Sequence, residues 1–100
     1  VIPYSLYTIM ERSFGNMQDM ERLKIMIYKE FRRRQANDDF ESPWNGPEVL
    51  LQCTEDVLSK EAEYNTINIS ILYHDLLHLY YQEVQNPMSS EVKEWRSKCD

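Results

Sequence analysis

The twenty residues Thr66–Gln85, TINISILYHDLLHLYYQEVQ, decide the fold class of this chain. At about 100° per residue, Ile69, Leu72, Tyr73, Leu76, Leu77, Leu79, Tyr80 and Val84 form one wide apolar arc, the pattern of a helix and not of a strand. A second line runs down the other side. Ile67, Ile71, His74, His78, Tyr81 and Gln85 follow each other at alternating spacings of four and three, mixing apolar and polar groups. A helix that is apolar on one face and half-apolar on the other is either the centre of a bundle or gives its second face to another chain. Asn86-Pro87 ends it.

Working outward, the rest of the chain also reads as helical. Met17, Met20, Leu23, Ile27, Tyr28 and Phe31 share one face at the 3.6-residue period, with Asn16 as cap, Asp19 three residues on, and Ile25 and Met26 on the outer side. Before it, Pro3 to Phe14 predicts a short helix stopped by Gly15. Residues 35–47 read as one long loop, rich in Asn, Asp, Ser, Pro and Gly, with Phe40 and Trp44 embedded in it. The two aromatics either fold back onto the core or stand out as anchors for a partner. Pro47 opens the next helix, with Leu50, Leu51, Val57 and Leu58 on one side, Cys53 at its margin and an end near Tyr64-Asn65. Ser89 or Ser90 caps a last short helix in which Met88, Val92, Trp95 and Cys99 share a face. No repeat at a fixed period is present. The expectation is an all-α fold: a compact bundle of four main helices plus a short C-terminal helix, forming a single domain over residues 1–100. The start at Val1, without a signal-peptide layout, and the charged run Glu94–Asp100 suggest a domain excised from a longer protein.

Composition agrees with one ordinary domain. With 100 residues, 42% of them hydrophobic and 28% charged, the chain can bury a single modest core. Two glycines and four prolines exclude a collagenous or linker-like chain, and 12% aromatic residues exclude a disordered one. No apolar run approaches the ~18 residues needed to span a bilayer, so no membrane is expected as a partner. The net charge of -6 is unevenly divided: residues 1–36 hold seven Lys/Arg against four Asp/Glu, and residues 37–100 four against thirteen. Either the halves neutralise each other across the fold, or the basic one docks an acidic partner. Cys53 and Cys99 match no zinc or redox spacing and are read as free thiols, which points to an intracellular protein of the cytoplasm or nucleus. Asn68-Ile69-Ser70 has the glycosylation tripeptide, but its place in an apolar helix leaves a glycan no room.

Little in the sequence supports chemistry. His74 and His78, at i and i+4, are the one candidate metal pair, with Asp75 beside them. The Glu of an H-E-x-x-H motif is missing and no third ligand is evident, so no metal or other cofactor is expected. There is no phosphate-binding glycine loop, nucleophile elbow or distinct carboxylate pair. A small helical domain also offers little room for a pocket of ~300 Å³, so neither enzyme activity nor a small-molecule substrate is expected. Lys29, Arg32, Arg33 and Arg34 form a collar round the end of their helix, not a stripe along one face. The leading functional expectation is therefore a protein–protein interaction or scaffold module. It would bind a protein partner, or form a homo-oligomer, through Ile67, Ile71, His74, His78 and Tyr81 with Phe40 and Trp44 as loop anchors. A helical nucleic-acid-binding domain using the Arg32–Arg34 collar is the alternative, and a metal-dependent hydrolase built on the two histidines a third reading.

Overall fold

A computed structural model describes residues 17–37, 45–61 and 64–100. They form a compact all-helical fold of α1 (Met17–Asn37), α2 (Asn45–Lys60), α3 (Thr66–Gln85) and α4 (Ser90–Cys99). Among the described residues there are thus three long helices and one short one. The segment expected from Pro3 to Phe14, its Gly15 stop, the Asn16 cap, Phe40 and Trp44 lie outside them.

α1 packs chiefly on α2, and α2 in turn on α3; α4 rests on α1 and α3 and does not reach α2. The core takes Met20, Leu23, Ile27, Tyr28 and Phe31 from α1, the face expected from its periodicity. Tyr28 sits at the centre. Its ring lies 5.4 Å from that of Phe31 and 5.5 Å from that of Trp95, and Phe31 meets Tyr80 edge-on at 5.4 Å. The phenol donates a 2.5 Å hydrogen bond to Glu83 Oε2, so the one polar atom this ring carries into the core is satisfied by α3. Burial, reinforced by the Glu83 carboxylate, raises the Tyr28 pKa far above its ordinary range.

The helix ends follow local chemistry. Asn65 adopts extended geometry and its side chain accepts from the Asn68 amide at 2.8 Å, which opens α3. At the other end the Asn86 N–H bonds to the Gln82 carbonyl, and Pro87 cannot continue the ladder. Ser89, not Ser90, caps α4, accepting from the Val92 amide at 3.2 Å.

Several boundaries and faces differ from expectation. Residues 35–37, expected in the long loop, continue α1, and residues 45–47, also expected there, already belong to α2. Gln35 and Ala36 are good helix formers, and the last turn of α1 is held by Arg34, which reaches Asp56 Oδ2 at 2.7 Å. Pro47 stands third in α2, where its missing N–H would have had no intrahelical partner. α2 stops at Lys60 instead of near Tyr64-Asn65, since Asn65 must be extended to cap α3.

Cys53 is fully buried, not marginal. The inward sector of α2 includes Thr54, whose hydroxyl donates to the Leu50 carbonyl at 2.8 Å and so can enter the core. Both cysteines are free and buried, and burial pushes each thiol up to about 11. On α4, Val92, Trp95 and Cys99 are buried as expected, but Met88 is 73% exposed because it lies in the turn ahead of the Ser89 cap. The Trp95 indole N–H is buried without a hydrogen-bond acceptor among the described residues, and the Lys24 ammonium stands 5.8 Å from its ring.

Candidate partner-binding surface

The solvent side of α3 is set by which of its residues the bundle leaves over. Thr66, Ile67, Ser70, His74, His78, Tyr81, Val84 and Gln85 are exposed, and none of them is Lys, Arg, Asp or Glu. The only two carboxylates of α3 are turned towards neighbouring helices. Asp75 accepts from Lys24 Nζ at 2.6 Å, and Glu83 accepts from Tyr28 with Arg96 Nε 3.8 Å from its other oxygen. A helix of twenty residues runs about 30 Å, so this is a long face without acid or ammonium groups on a chain in which 28% of residues are charged.

Of the residues expected on this face, Ile67 is 62% and Tyr81 46% exposed, and His74 and His78 are exposed with them. Ile71 does not belong with them. At 7% exposure it is part of the core, because its place on the wheel turns it under the edge of the bundle beside Leu72. Ile25 and Met26 are likewise not an outer apolar patch but are partly buried against the core. The sequence pattern missed Val84, which is 61% exposed although it falls on the expected inner arc, and also Tyr64 and Met88 at the two ends of α3. Leu76 is the last fully buried residue of α3; beyond it Leu77, Leu79 and Tyr80 pack partly buried against the core, and Val84 is left exposed. Tyr81 stacks obliquely on Tyr80 at 5.8 Å and His74 on Tyr73 at 6.0 Å, which limits the rotamers of both.

His78 borders a cleft of about 210 Å³ between α1, α3 and α4, whose walls include Glu21, Lys24, Asp75, Glu91, Glu94 and Lys98. Both of its ammonium groups are engaged by Glu21 and Asp75. Lys98 reaches Glu21 at 3.0 Å and Lys24 bridges Glu21 and Asp75. Burial alone would raise the Glu21 pKa, but the two ammonium groups outweigh it and lower it. Among the described residues no group of three or more His, Cys, Asp or Glu is placed to hold a metal ion.

The basic collar is spent largely on the protein's own carboxylates. Arg33 and Arg34 both reach Glu30 Oε1, at 2.6 and 3.0 Å, Arg34 also meets Asp56, and Arg32 lies 3.9 Å from Asp100. The Arg33 hydrogen bond, helped by Arg34, holds Glu30 down at about 2. Lys29 is exposed beside them. Between α1 and α2, Lys29, Glu30, Arg33, Arg34 and Asp56 border an open groove of about 380 Å³, more space than the sequence suggested, with Met26 and Val57 as its apolar lining. Asp38, Asp39 and Glu41, the acidic residues that follow the collar in sequence and would be its nearest expected partners, lie outside the described residues.

No helix of the described residues is long and apolar enough to cross a membrane. No family model, curated protein or solved structure matches the chain.

Proposed function

We propose that this domain is a protein–protein interaction module and that the exposed face of α3 is its contact surface. The observation that carries the reading is the exposure of Ile67, Tyr81 and Val84 along a helix face whose acidic residues are all engaged elsewhere. Tyrosine is enriched at such surfaces, and the face carries no charged side chain that contact would have to desolvate. Full burial of an aliphatic or aromatic side chain contributes about 1.5–3 kcal/mol. Each of these three is roughly half exposed, so about half of that is still to be gained at each position.

The nucleic-acid reading has weaker support, since Arg33 and Arg34 are paired with Glu30 and Asp56 and are not free for phosphates. Ile67→Glu and Tyr81→Glu test the proposal. Each places a charge on the α3 face without touching the core, so association is lost while the helical circular dichroism is retained. Lys93→Glu, at an exposed position on α4, leaves association unchanged. Retained association in both α3 variants would overturn the reading.

A further inference from the structure

We infer that the groove between α1 and α2 is a second docking site, separate from the α3 face, and that it takes an acidic peptide segment of another protein: carboxylates over Lys29 and Lys60, an apolar side chain against Met26 and Val57. Arg22, Met26, Lys29 and Arg33 are spaced four, three and four along α1, so they form one stripe of the helix about 17 Å long. Each of them is exposed or half-buried. Val57 and Lys60, on the last turn of α2, face this stripe across the groove of about 380 Å³. That volume lies within the ~300–1,000 Å³ of ordinary binding clefts. A second hollow of about 420 Å³ lies beside Ile25 and shares Met26 and Lys29 with the first. Met26 and Val57 pack partly buried on the core, so the apolar lining is held in place by the bundle itself.

The charge of the groove decides the sign of its occupant. Its three carboxylates are each met by an arginine: Arg33 reaches Glu30 at 2.6 Å, Arg34 reaches Asp56 at 2.7 Å, and Arg22 reaches Glu61 at 3.1 Å. Arg33, helped by Arg34, holds Glu30 at about 2, and hydrogen bonds from Arg34 and Gln52 lower Asp56, so these pairs stand throughout the neutral range. Lys29 and Lys60, both exposed, come on top of that balance and place one ammonium on each wall. On a chain of net charge -6 this is a basic spot, which orients an approaching anionic partner. The excess of seven Lys/Arg over four Asp/Glu in residues 1–36 is the trace of it in the sequence.

The two kinds of lining together favour a peptide over a nucleic acid. A phosphate backbone draws chiefly on arginine and lysine, and here two of the arginines are held by Glu30 and Asp56, while Met26 and Val57 offer phosphates nothing. An acidic peptide with a Leu or Phe among its carboxylates uses both walls at once. Methionine suits such a lining because its unbranched thioether moulds itself to side chains of different shape. Arg22 Nη1 lies 3.4 Å from Met26 Sδ and so steadies that side chain at the junction of the two hollows.

The test uses fluorescence anisotropy on the 100-residue chain, with a short fluorescein-labelled peptide in which Glu residues flank Leu and Phe as the probe. The expected result is binding at low salt that weakens as sodium chloride is raised. Lys29→Glu combined with Lys60→Glu weakens it about tenfold or more, with unchanged circular dichroism because both side chains are exposed. Lys93→Glu on α4 makes the same kind of charge change outside the groove and leaves binding unchanged, as does Tyr81→Glu on α3. In methyl NMR spectra the probe shifts the Met26 resonance but not that of Met88, which is 73% exposed and lies outside the groove. No binding at low salt, or binding insensitive to the two lysines, overturns the inference. Equal binding of a probe with Ser in place of Leu and Phe, or of a DNA duplex, shows that charge alone is read and overturns it too. Loss of binding in Tyr81→Glu moves the site to α3 and has the same consequence. So does a dimer of the chain that the lysine changes dissolve, which makes the occupant a second copy. Binding that appears only once Asp38, Asp39 and Phe40 are replaced makes the occupant the chain's own segment, and equally overturns the inference.

Discussion

Tyr28→Phe isolates the one hydrogen bond that ties α1 to α3 through the centre of the core. The ring is fully buried against Phe31 and Trp95, so the substitution keeps the packing and removes only the hydroxyl. A hydrogen bond to a charged group contributes about 1.5–3 kcal/mol. Glu83 keeps Arg96 within 3.8 Å and its side chain is 22% exposed, so water can replace the phenol, which places the loss at the lower end, about 1.5 kcal/mol. For a domain of this size that corresponds to a fall in Tm of roughly 6–12 °C. Urea denaturation followed by circular dichroism measures it, with an unchanged m-value showing that the same surface is exposed on unfolding. Glu83→Ala and the double variant complete a cycle, and the coupling between the two positions should be about 1 kcal/mol or more. The pH dependence gives a second readout. The folded-state pKa of Tyr28 is raised, so its stabilisation is complete below the unfolded tyrosine value of about 10 and is lost as pH rises above it. Tyr28→Phe therefore removes part of the alkaline destabilisation. A loss below about 0.5 kcal/mol together with zero coupling would refute the assignment of this bond as a core pin.

Gly46→Ala would drive a new Cβ against the Tyr80 hydroxyl, with ring carbon Cζ only 2.9 Å away, and should cost about 1–3 kcal/mol. Adding Tyr80→Phe relieves the nearest contact, so the double variant should be more stable than the sum of the two single changes. Ile71→Ala should destabilise by about 2–4 kcal/mol and Ile67→Ala by no more than about 0.5, a contrast readable in the same urea titrations and decided by burial alone. Glu30 is held at about 2 by Arg33 and Arg34. Its contribution is therefore present above the unfolded glutamate value near 4.3 and is lost as pH falls through the folded one, a slope that Glu30→Gln should flatten in acid-unfolding curves. Cys53 and Cys99, buried with thiols raised to about 11, should resist iodoacetamide at pH 8 in the native protein and react once urea unfolds it.

The four helices and most of their inward faces are legible in the residues. Met20 to Phe31 on α1 and Leu72 and Leu76 on α3 follow a period that only a helix buries, Asn86-Pro87 marks the end of α3, and Ser89, one of the two serines expected to cap α4, carries a side chain that satisfies an orphan amide locally. The exposed histidines and Tyr81 were legible for the same reason. Where periodicity misled, the cause was always a neighbour. Ile71 lies between the two faces of α3, and its burial depends on how far the packed helices reach round it. Val84 continues the apolar arc of the sequence, but the packed helices leave it 61% exposed.

What the sequence determined by itself is the class of fold and the helix-forming stretches, because these depend on interactions within a few residues. The tertiary structure alone decided which charges are spoken for. Lys24 with Asp75, Tyr28 with Glu83, and Arg34 with Asp56 are partners 51, 55 and 22 residues apart, and no local pattern predicts them. Those pairings turn the only carboxylates of α3 towards α1 and α4. The free face of α3 is uncharged because of where its neighbours stand.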